Sequence, residues 1–364
     1  MDKTIKRVLE LIEESGFEAY VVGGYVRDFL LKIKSTDIDI CTNARPKDLT
    51  EIFKDYNTRV EDYGSFKIIS DRFTFDITTY RKESNYEYRK PTKIEYIDNL
   101  IQDLNRRDLT INAICMNSKG MIIDLLNGIL DIKSKTIRMI GDVDTKLKED
   151  PLRILRALRF ASSLGFDIEE TLLCGINLNK HLVQDLSNTR KKEEIEKILV
   201  GKNCLVGLSL LKEYEIDKYL GIRYAIVKYT EDLCGMYAQM EFDDFYSFTK
   251  GELKNIKLIK EVITYGKIDE NVLFDYGLYV CTVAGEIFGI SRKDVTCMYD
   301  QLPIKQINEI NITSKEIISI LQIEPSVIIK SVQNELKTLI LKGVLSNDRT
   351  ILEEYLIINK GMWC

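Results

Sequence analysis

The chain has 364 residues, of which 45% are hydrophobic and 30% charged, and its net charge is −5 at pH 7. This length is sufficient for more than one core, and the apolar runs are too short to span a bilayer, which excludes an integral membrane protein. The acidic average gives no chain-wide signature of nucleic-acid binding, although a local basic face would be enough for it.

Cysteine and histidine usage limits the chemistry further. The 8 cysteines contain no CxxC pair, and the single histidine is His181. Zinc sites and thiol-based or histidine-based catalysis therefore lack the residues that they need. We interpret the cysteines as reduced packing residues of a cytoplasmic protein, and His181 as a surface residue.

Helices and strands are mixed in the first 140 residues. Hydrophobic spacing predicts an amphipathic helix within Met1–Gly16, a strand Tyr20–Val22, a helix Tyr25–Leu31, a strand Thr36–Ile40, a helix after Pro46, and strands Ser65–Ile69, Phe73–Thr79 and Ile94–Tyr96. The polar stretch Arg81–Pro91 is predicted to be a flexible loop. The apolar segment Asp108–Cys115 is ambiguous between helix and strand.

Strand signals nearly vanish beyond about residue 145. Helical spacing dominates in Leu152–Leu164, Lys191–Val200 and Cys204–Tyr214. The sequence therefore predicts an α+β head followed by a long all-helical remainder.

Two aspartates, Asp37 and Asp39, stand two residues apart on a predicted strand, so both carboxylates point to the same face. On the strand Phe73–Thr79, the apolar side chains Phe73, Phe75 and Ile77 occupy one face and Asp76 lies on the other. If the strands are neighbours, three carboxylates converge, and such a group repels itself unless a cation lies between its members. Mg²⁺ prefers one or two carboxylates together with substrate phosphates. The alternative is a solvated strand face.

A glycine pair, Gly23-Gly24, lies between a predicted strand and a helix that carries Arg27 and Asp28. Glycines allow the backbone to approach a phosphate closely. The alternative is an ordinary strand-to-helix turn. The pattern is neither GxGxxG nor a P-loop, so Rossmann and Walker-type sites are not indicated.

Taken in order, these motifs are similar to those of a known family. Gly23–Asp28 followed by Asp37–Ile40 resembles the signature of class II tRNA nucleotidyltransferases and bacterial poly(A) polymerases, which belong to the polymerase-β-like nucleotidyltransferase superfamily. Further similar segments are Arg106–Ala113, Asp124-Leu125 with Gly128, Asp131 and Arg138, Glu149–Arg153, Arg190 with Glu193 and Glu194, and Gly343–Asn347, which resembles the tail of CCA-adding enzymes. The resemblance spans most of the chain, although residues 205–330 contribute little.

The resemblance implies an architecture and a set of site residues. It implies a polymerase-β-like head with a mixed sheet at residues 1–140, a helical neck with a nucleobase-recognition motif at 141–203, and a helical body and tail that bind tRNA at 204–364. Asp37 and Asp39 would bind Mg²⁺ and, with Asp76, carry catalysis. The candidate nucleotide-binding residues are Gly23, Gly24, Arg27, Arg106, Arg107, Asp108, Asp150, Arg153 and Arg156.

Asp150 and Arg153 also suit a base-reading role on physical grounds. Pro151 fits a first helical position, which makes Asp150 the N-cap and places Arg153 one turn away. One acceptor and one fixed donor fork match the amino and ring-nitrogen edge that cytosine and adenine share. Uracil and guanine would leave unmatched polar groups. The alternative is a plain helix cap with a local salt bridge.

Two further segments bear on the substrate. In the family, enzymes that add only CC are shortened in the loop that Arg81–Pro91 resembles; the loop is retained here, which indicates competence for the final A. Lys250, Lys254, Lys257 and Lys260 have helical spacing and could follow an RNA backbone. A solvated helix face is the alternative for the lysines, and a charged surface loop is the alternative for Arg81–Pro91.

We therefore expect template-independent addition of CCA to the 3′ end of tRNA from CTP and ATP, with release of pyrophosphate. The alternatives within the family are a partial enzyme that adds only CC or only A, and a poly(A) polymerase. The alternative outside enzymes is a silent RNA-binding relative. The intact Asp37–Asp39 pair argues against the last of these.

Overall fold

The computed structural model describes residues 1–61, 64–69, 72–87, 90–201, 203–324 and 327–363. The chain divides into two compact units, residues 1–222 and 223–364. Over the described residues, none of the helices combines the length and the apolar composition that a membrane crossing requires.

The first unit contains a mixed sheet. The strands of this unit are β1 Ala19–Val22, β2 Asp37–Thr42, β3 Thr58–Val60, β4 Ser65–Ile69, β5 Thr74–Thr79, β6 Arg81–Glu87, β7 Lys90–Tyr96, β8 Cys115–Met116, β9 Ile122–Ile123, β10 Thr136–Ile137 and β11 Asp167–Ile168. The pairs β6–β7 and β10–β11 form two small sheets of their own. Within the described residues, the large sheet has the order β3-β4-β5-β2-β1-β8-β9. Among the described strand pairs of this sheet, β2–β5 is parallel and the other five are antiparallel. The predicted α+β head with a mixed sheet is thus confirmed.

Strand register brings the glycine loop and the aspartates together. In the antiparallel β1–β2 pair, Val22 lies opposite Asp39, so Gly23 follows directly beside that aspartate. In the parallel β2–β5 pair, Asp39 lies opposite Asp76. Alternation buries Ile38 and Ile40 beneath this face.

Helices cover the sheet and then take over the chain. They are α1 Lys3–Glu14, α2 Gly24–Leu30, α3 Pro46–Ile52, α4 Leu100–Asn105, α5 Gly128–Ser134, α6 Val143–Glu149, α7 Leu152–Leu164, α8 Glu170–Asn179, α9 Asn188–Leu199, α10 Cys204–Glu213 and α11 Ile216–Leu220. The predicted amphipathic helix at the N-terminus is α1, which buries Ile5, Val8, Leu9 and Ile12. His181 lies exposed in a short 3₁₀ segment, as expected.

The predicted flexible loop at Arg81–Pro91 is wrong in its secondary structure. β6 and β7 form an antiparallel hairpin in which Arg81 pairs with Tyr96 and Glu83 with Ile94. The many charged residues conceal the strand because they replace the apolar alternation by which a strand is recognised. Residues 88 and 89 of the predicted loop lie outside the described residues.

Asp108–Cys115, ambiguous in sequence, forms a 3₁₀ turn at Thr110–Asn112 before β8. Gly128, the first residue of α5, packs against this 3₁₀ turn. Asp124 accepts hydrogen bonds from the N–H groups of Gly128 and Ile129, at 2.9 and 2.8 Å, and so caps α5. Gly128 lies so close to the 3₁₀ turn that an added Cβ would be 2.3 Å from the carbonyl oxygen of Thr110 and would overlap it.

Gly128→Ala is therefore expected to lower the free energy of unfolding by about 1–3 kcal/mol, because the backbone contact leaves no room for a methyl group. Urea denaturation followed by circular dichroism would measure the change. Gly251→Ala is the control, since Gly251 lies in a helix and its nearest non-neighbouring atom would be 3.9 Å from the new Cβ. Equal stability of the two variants would contradict the close approach at Gly128.

The second unit is almost entirely helical. Its helices are α12 Leu233–Ala238, α13 Lys250–Tyr265, α14 Glu270–Phe288, α15 Arg292–Asp300, α16 Ser314–Leu321, α17 Val327–Leu341 and α18 Arg349–Ile358. Gly277, at φ 76°, kinks α14. The short strand β12, Ile222–Arg223, straddles the boundary between the units, and β13 is Glu241–Phe242. The helical remainder expected from the sequence is confirmed.

Candidate active site

A pocket of about 690 Å³ opens in the first unit. Its lining includes every candidate site residue except Asp76; these residues are Gly23, Gly24, Arg27, Asp37, Asp39, Arg106, Arg107, Asp108, Asp150, Arg153 and Arg156. They come from strand β2, from the glycine loop and α2, from the segment after α4, and from α7 and the residues just before it, so residues more than a hundred positions apart meet here. The lining also includes residues that sequence reasoning missed, among them Arg81, Glu83, Tyr86, Arg159, Phe160 and Lys197.

The two carboxylates of β2 lie side by side on the pocket surface. Burial raises the pKa of Asp39; the Arg107 guanidinium opposes that shift, and the neighbouring Asp37 carboxylate adds to it. A site that raises the pKa of a carboxyl group in this way disfavours its negative charge. An added cation would relieve that cost.

Asp76 lies beside Asp39 in the register but is, among the described candidate residues, the one outside the pocket lining. Its Oδ1 atom is buried without a hydrogen-bond partner among the described residues and lies 3.8 Å from Lys67 Nζ. Burial raises its pKa, the Lys67 ammonium opposes the shift, and Asp39 adds to it. The orphaned oxygen gives Asp76 an unused acceptor next to the Asp37–Asp39 pair.

The carboxylates of Asp37 and Asp39 fit Mg²⁺ better than they fit a metal ion that is bound by protein ligands alone. Among the described residues, no group of three His, Cys, Asp or Glu side chains is arranged to hold a metal ion. Two adjacent carboxylates without further protein ligands are nevertheless the arrangement in which Mg²⁺ takes its remaining ligands from water and substrate phosphates. The hard oxygen donors of Asp37 and Asp39 suit that ion.

The glycine loop touches the carboxylates directly. Gly23 has φ 82°, a conformation that favours glycine, and a Cβ on it would lie 3.0 Å from Asp39 Oδ2. Behind the loop, the buried Arg27 donates to Asn112 Oδ1 at 2.7 Å and to Asp28 Oδ1 at 2.7 and 2.9 Å. The loop backbone thus lies close to the carboxylate face, above a buried arginine whose hydrogen bonds join α2 to the segment after α4.

Arg106 and Arg107 are anchored by Asp103, a fully buried residue of α4. Arg106 Nε donates to Asp103 Oδ1 at 2.8 Å, and Arg107 Nη2 donates to Oδ2 at 3.4 Å. Sequence reasoning missed Asp103, although its spacing of three and four residues from the two arginines was a usable signal. One carboxylate therefore fixes both guanidinium groups at the pocket.

Glu83 of β6 is a second anchor. It accepts from Arg81 Nε at 2.6 Å, from Tyr86 Oη at 2.6 Å and from Arg106 Nη1 at 3.4 Å. Burial by itself would raise the pKa of Glu83, but the guanidinium groups of Arg106 and Arg81 lower it below its usual value. The hairpin is thereby tied to the pocket through a charged network.

Asp108 and Arg156 form an ion pair at 2.6 Å between the segment after α4 and helix α7. Burial would raise the pKa of Asp108, yet Arg156 and the hydrogen bonds from Leu109 and Asn112 lower it to about 2. Asp108 is therefore ionised throughout the physiological range.

Asp150 takes the capping position that the sequence predicts. It is extended at φ −146° and ψ 96°, Pro151 already has helical angles, and Asp150 Oδ1 accepts from Leu152 N at 3.1 Å. Arg153 donates to the carbonyl oxygens of Lys146, at 2.8 Å, and Arg106, at 3.3 Å. Its ion pair is with Glu149, at 3.2 Å. These contacts hold the Arg153 guanidinium in one orientation beside the cap.

Three family models match this chain, two of them within residues 1–222 and one within residues 223–364. Residues 19–138 match the Poly A polymerase head domain family, and residues 165–221 match the family described as "Probable RNA and SrmB- binding site of polymerase A". Residues 252–356 match a tRNA nucleotidyltransferase domain 2 family.

Whole-length relatives agree with these matches. The chain is 34% identical to the CCA-adding enzyme of Ligilactobacillus salivarius, over 95% of this chain and 94% of the relative. It is 32% identical to that of Pediococcus pentosaceus, over 95% of each chain. The solved Bacillus stearothermophilus CCA-adding enzyme in complex with CTP has the same fold, with a TM-score of 0.80 at 23% identity over 100% of this chain and 99% of the other.

Proposed function

This chain belongs to the family of CCA-adding enzymes, and we propose that it adds CCA to the 3′ end of tRNA from CTP and ATP, without a nucleic-acid template. The 3′-hydroxyl of the tRNA attacks the α-phosphate of CTP twice and then that of ATP, and pyrophosphate leaves. The observation that carries the proposal is the single pocket that joins the carboxylate pair, the glycine loop and the arginines of three separate motifs.

Membership of this nucleotidyltransferase family implies dependence on a divalent metal. We propose Mg²⁺ as that metal and Asp37 and Asp39 as the residues that hold it, with Asp76 as the third acidic member. The chemistry that the bound ion supplies is activation of the attacking hydroxyl and stabilisation of the leaving pyrophosphate. A side chain at position 23 would be strained by the positive φ of that residue, and its Cβ would lie 3.0 Å from Asp39 Oδ2.

The polyphosphate and ribose would contact the glycine loop beside the carboxylates and the arginines that follow α4. The backbone at Gly23 and Gly24 is open to a phosphate, while Arg106 and Arg107 are fixed by Asp103. A fixed guanidinium loses little further entropy when a phosphate binds. Asp108 stays ionised beside Arg156 and can accept a hydrogen bond from a ribose hydroxyl.

The base would be selected by Asp150 and Arg153. Arg153 is fixed by two main-chain carbonyls, and Asp150 spends Oδ1 on the helix cap. A donor fork and an acceptor in fixed positions accept cytosine or adenine and leave uracil or guanine with mismatched polar groups.

One assay separates the proposed activity from its rivals. Purified protein is incubated with tRNA ending before CCA, with tRNA lacking only the final A, or with complete tRNA, and CTP or ATP is supplied singly and together. Three added nucleotides with both substrates, and none on complete tRNA, is the expected result. Two added residues, a single A, a long A tract or no extension would instead assign CC addition, A addition, poly(A) synthesis or a silent protein.

We propose the functional division into a head at 1–140, a neck at 141–203 and a tRNA-binding body and tail at 204–364. Within the last region, Lys250, Lys254 and Lys257 are exposed along α13. Phosphate contacts by such a row would recognise the shape and backbone of tRNA more than its bases.

Lys254→Ala should weaken tRNA binding and lower the slope of log Kd against log salt by about one, because one phosphate contact and its released counterion are lost. Filter binding over a salt series would measure both quantities. Lys305→Ala removes the same charge from the second unit, where Lys305 pairs with Asp300 at 3.5 Å, and serves as the control. An unchanged slope in Lys254→Ala would leave α13 outside the RNA contact.

A further inference from the structure

Two basic residues of the pocket belong to none of the motifs so far assigned. Arg159 of α7 and Lys197 of α9 both line it. They share a single carboxylate: Arg159 Nε lies 2.8 Å from Glu194 Oε2, and Lys197 Nζ lies 2.9 Å from Glu194 Oε1. Two cations against one anion leave this corner of the pocket with an excess positive charge.

The Arg159 guanidinium is not satisfied by Glu194. Although the two groups touch, the alignment leaves Arg159 Nε and Glu194 Oε2 without a hydrogen bond among the described residues. Among the described residues, no other group accepts a hydrogen bond from this guanidinium, so its donors can serve a ligand. Glu194 is itself only 3% exposed and so cannot turn away to solvent.

Other guanidinium groups crowd the same place. Arg159, Arg27 and Arg156 surround the ring of Phe160, with distances from the guanidinium carbon to the ring centroid of 4.2, 4.9 and 5.6 Å. Burial lowers the pKa of Arg159, and the charges of Arg156 and Arg27 lower it further, although Glu194 opposes them. Arg27 and Arg156 already pair with Asp28 and Asp108, so an anion with several oxygens would add charge-assisted contacts chiefly to Arg159.

We propose that Arg159 and Lys197 form a phosphate-binding subsite, in which Glu194 is the positioning residue that holds both cations. The inference rests on the proposed function, which brings two phosphate groups to this pocket: the polyphosphate of the incoming nucleotide and the last phosphodiester of the RNA. Both present the same tetrahedral oxyanion, which a guanidinium and an ammonium bind in complementary ways.

Binding measurements without turnover test the subsite and identify its source of phosphate. Inorganic tripolyphosphate and, separately, tRNA ending before CCA are titrated into the full chain. Lys197→Met is expected to raise the Kd of one of these probes by roughly tenfold, the loss typical of one charge-assisted contact. Weaker tripolyphosphate binding assigns the subsite to the nucleotide, and weaker tRNA binding assigns it to the RNA. Lys197→Arg should restore the affinity.

Controls separate this inference from its alternatives. Lys148→Met removes a lysine of similar exposure that is also paired with a carboxylate on its own helix, Asp144 at 2.6 Å, but that lies outside the pocket. Lys197 is half exposed, so its replacement should leave the melting temperature unchanged. Unchanged Kd values for both probes in Lys197→Met would overturn the subsite. Failure of the wild-type protein to extend tRNA would overturn the proposed function alone, because the binding data stand without turnover.

Discussion

Asp39→Asn should abolish nucleotide addition while leaving the protein folded. The amide keeps the shape of the side chain but removes the charge on which cation binding depends, so kcat/KM should fall by roughly 10³-fold or more. Extension of tRNA ending before CCA by CTP and ATP, resolved by product length, would measure the loss.

The stability of this variant has a definite sign. Burial raises the pKa of Asp39, so its ionised form costs folding free energy at neutral pH and the substitution relieves that cost. The melting temperature should therefore be equal to or above that of the wild type. Asp55→Asn, at an exposed aspartate outside the pocket, is the control and should retain full activity. Full activity in Asp39→Asn would contradict a catalytic role for the Asp39 carboxylate.

Asp150→Ala should relax discrimination against UTP and GTP by roughly 10²-fold, because the acceptor that completes the base-reading pair is lost. The ratio of kcat/KM for CTP to that for UTP, measured on tRNA ending before CCA, would report the change. The same variant should lose about 1 kcal/mol of stability, since Asp150 Oδ1 also caps α7 through Leu152 N.

Two controls separate selection from capping. Asp150→Asn keeps a capping oxygen but offers the base an amide in place of a carboxylate, so it should retain stability and still lose selectivity. Asp142→Ala removes the cap of α6, where Asp142 accepts from Thr145 N at 2.9 Å, and should lose stability alone. Wild-type selectivity in Asp150→Asn would reduce Asp150 to a cap.

Local pattern predicts much of the head. The strands that carry Asp39 and Asp76 follow from period-two alternation, because one face of each is buried by apolar residues such as Ile38 and Phe75. Their pairing as neighbours depends on contacts between distant segments, which the sequence pattern does not show. The convergence of the three carboxylates could therefore be predicted only if the two strands were assumed to be neighbours.

The anchors of the site were hidden for a different reason. Asp103 and Glu83 are buried carboxylates whose importance comes from the arginines that fold against them. In sequence, Glu83 stands in an ordinary charged stretch, and Asp103 is marked only by its spacing from Arg106 and Arg107. The burial of either charge is a property of tertiary packing. Arg159 was missed likewise: its neighbours Arg153 and Arg156 carried the motif, while its own partner Glu194 lies on another helix.

The β6–β7 hairpin has a consequence for how this region can change in length. Because side chains alternate along a strand, one residue inserted or deleted between Arg81 and Glu83 would turn the Glu83 carboxylate to the opposite face and break its contacts with Arg81 and Arg106. Residues added beyond Tyr86 leave that carboxylate in place. We therefore expect changes in length to be tolerated at the outer end of the hairpin and not between Arg81 and Glu83, where they would reverse the face to which Glu83 points.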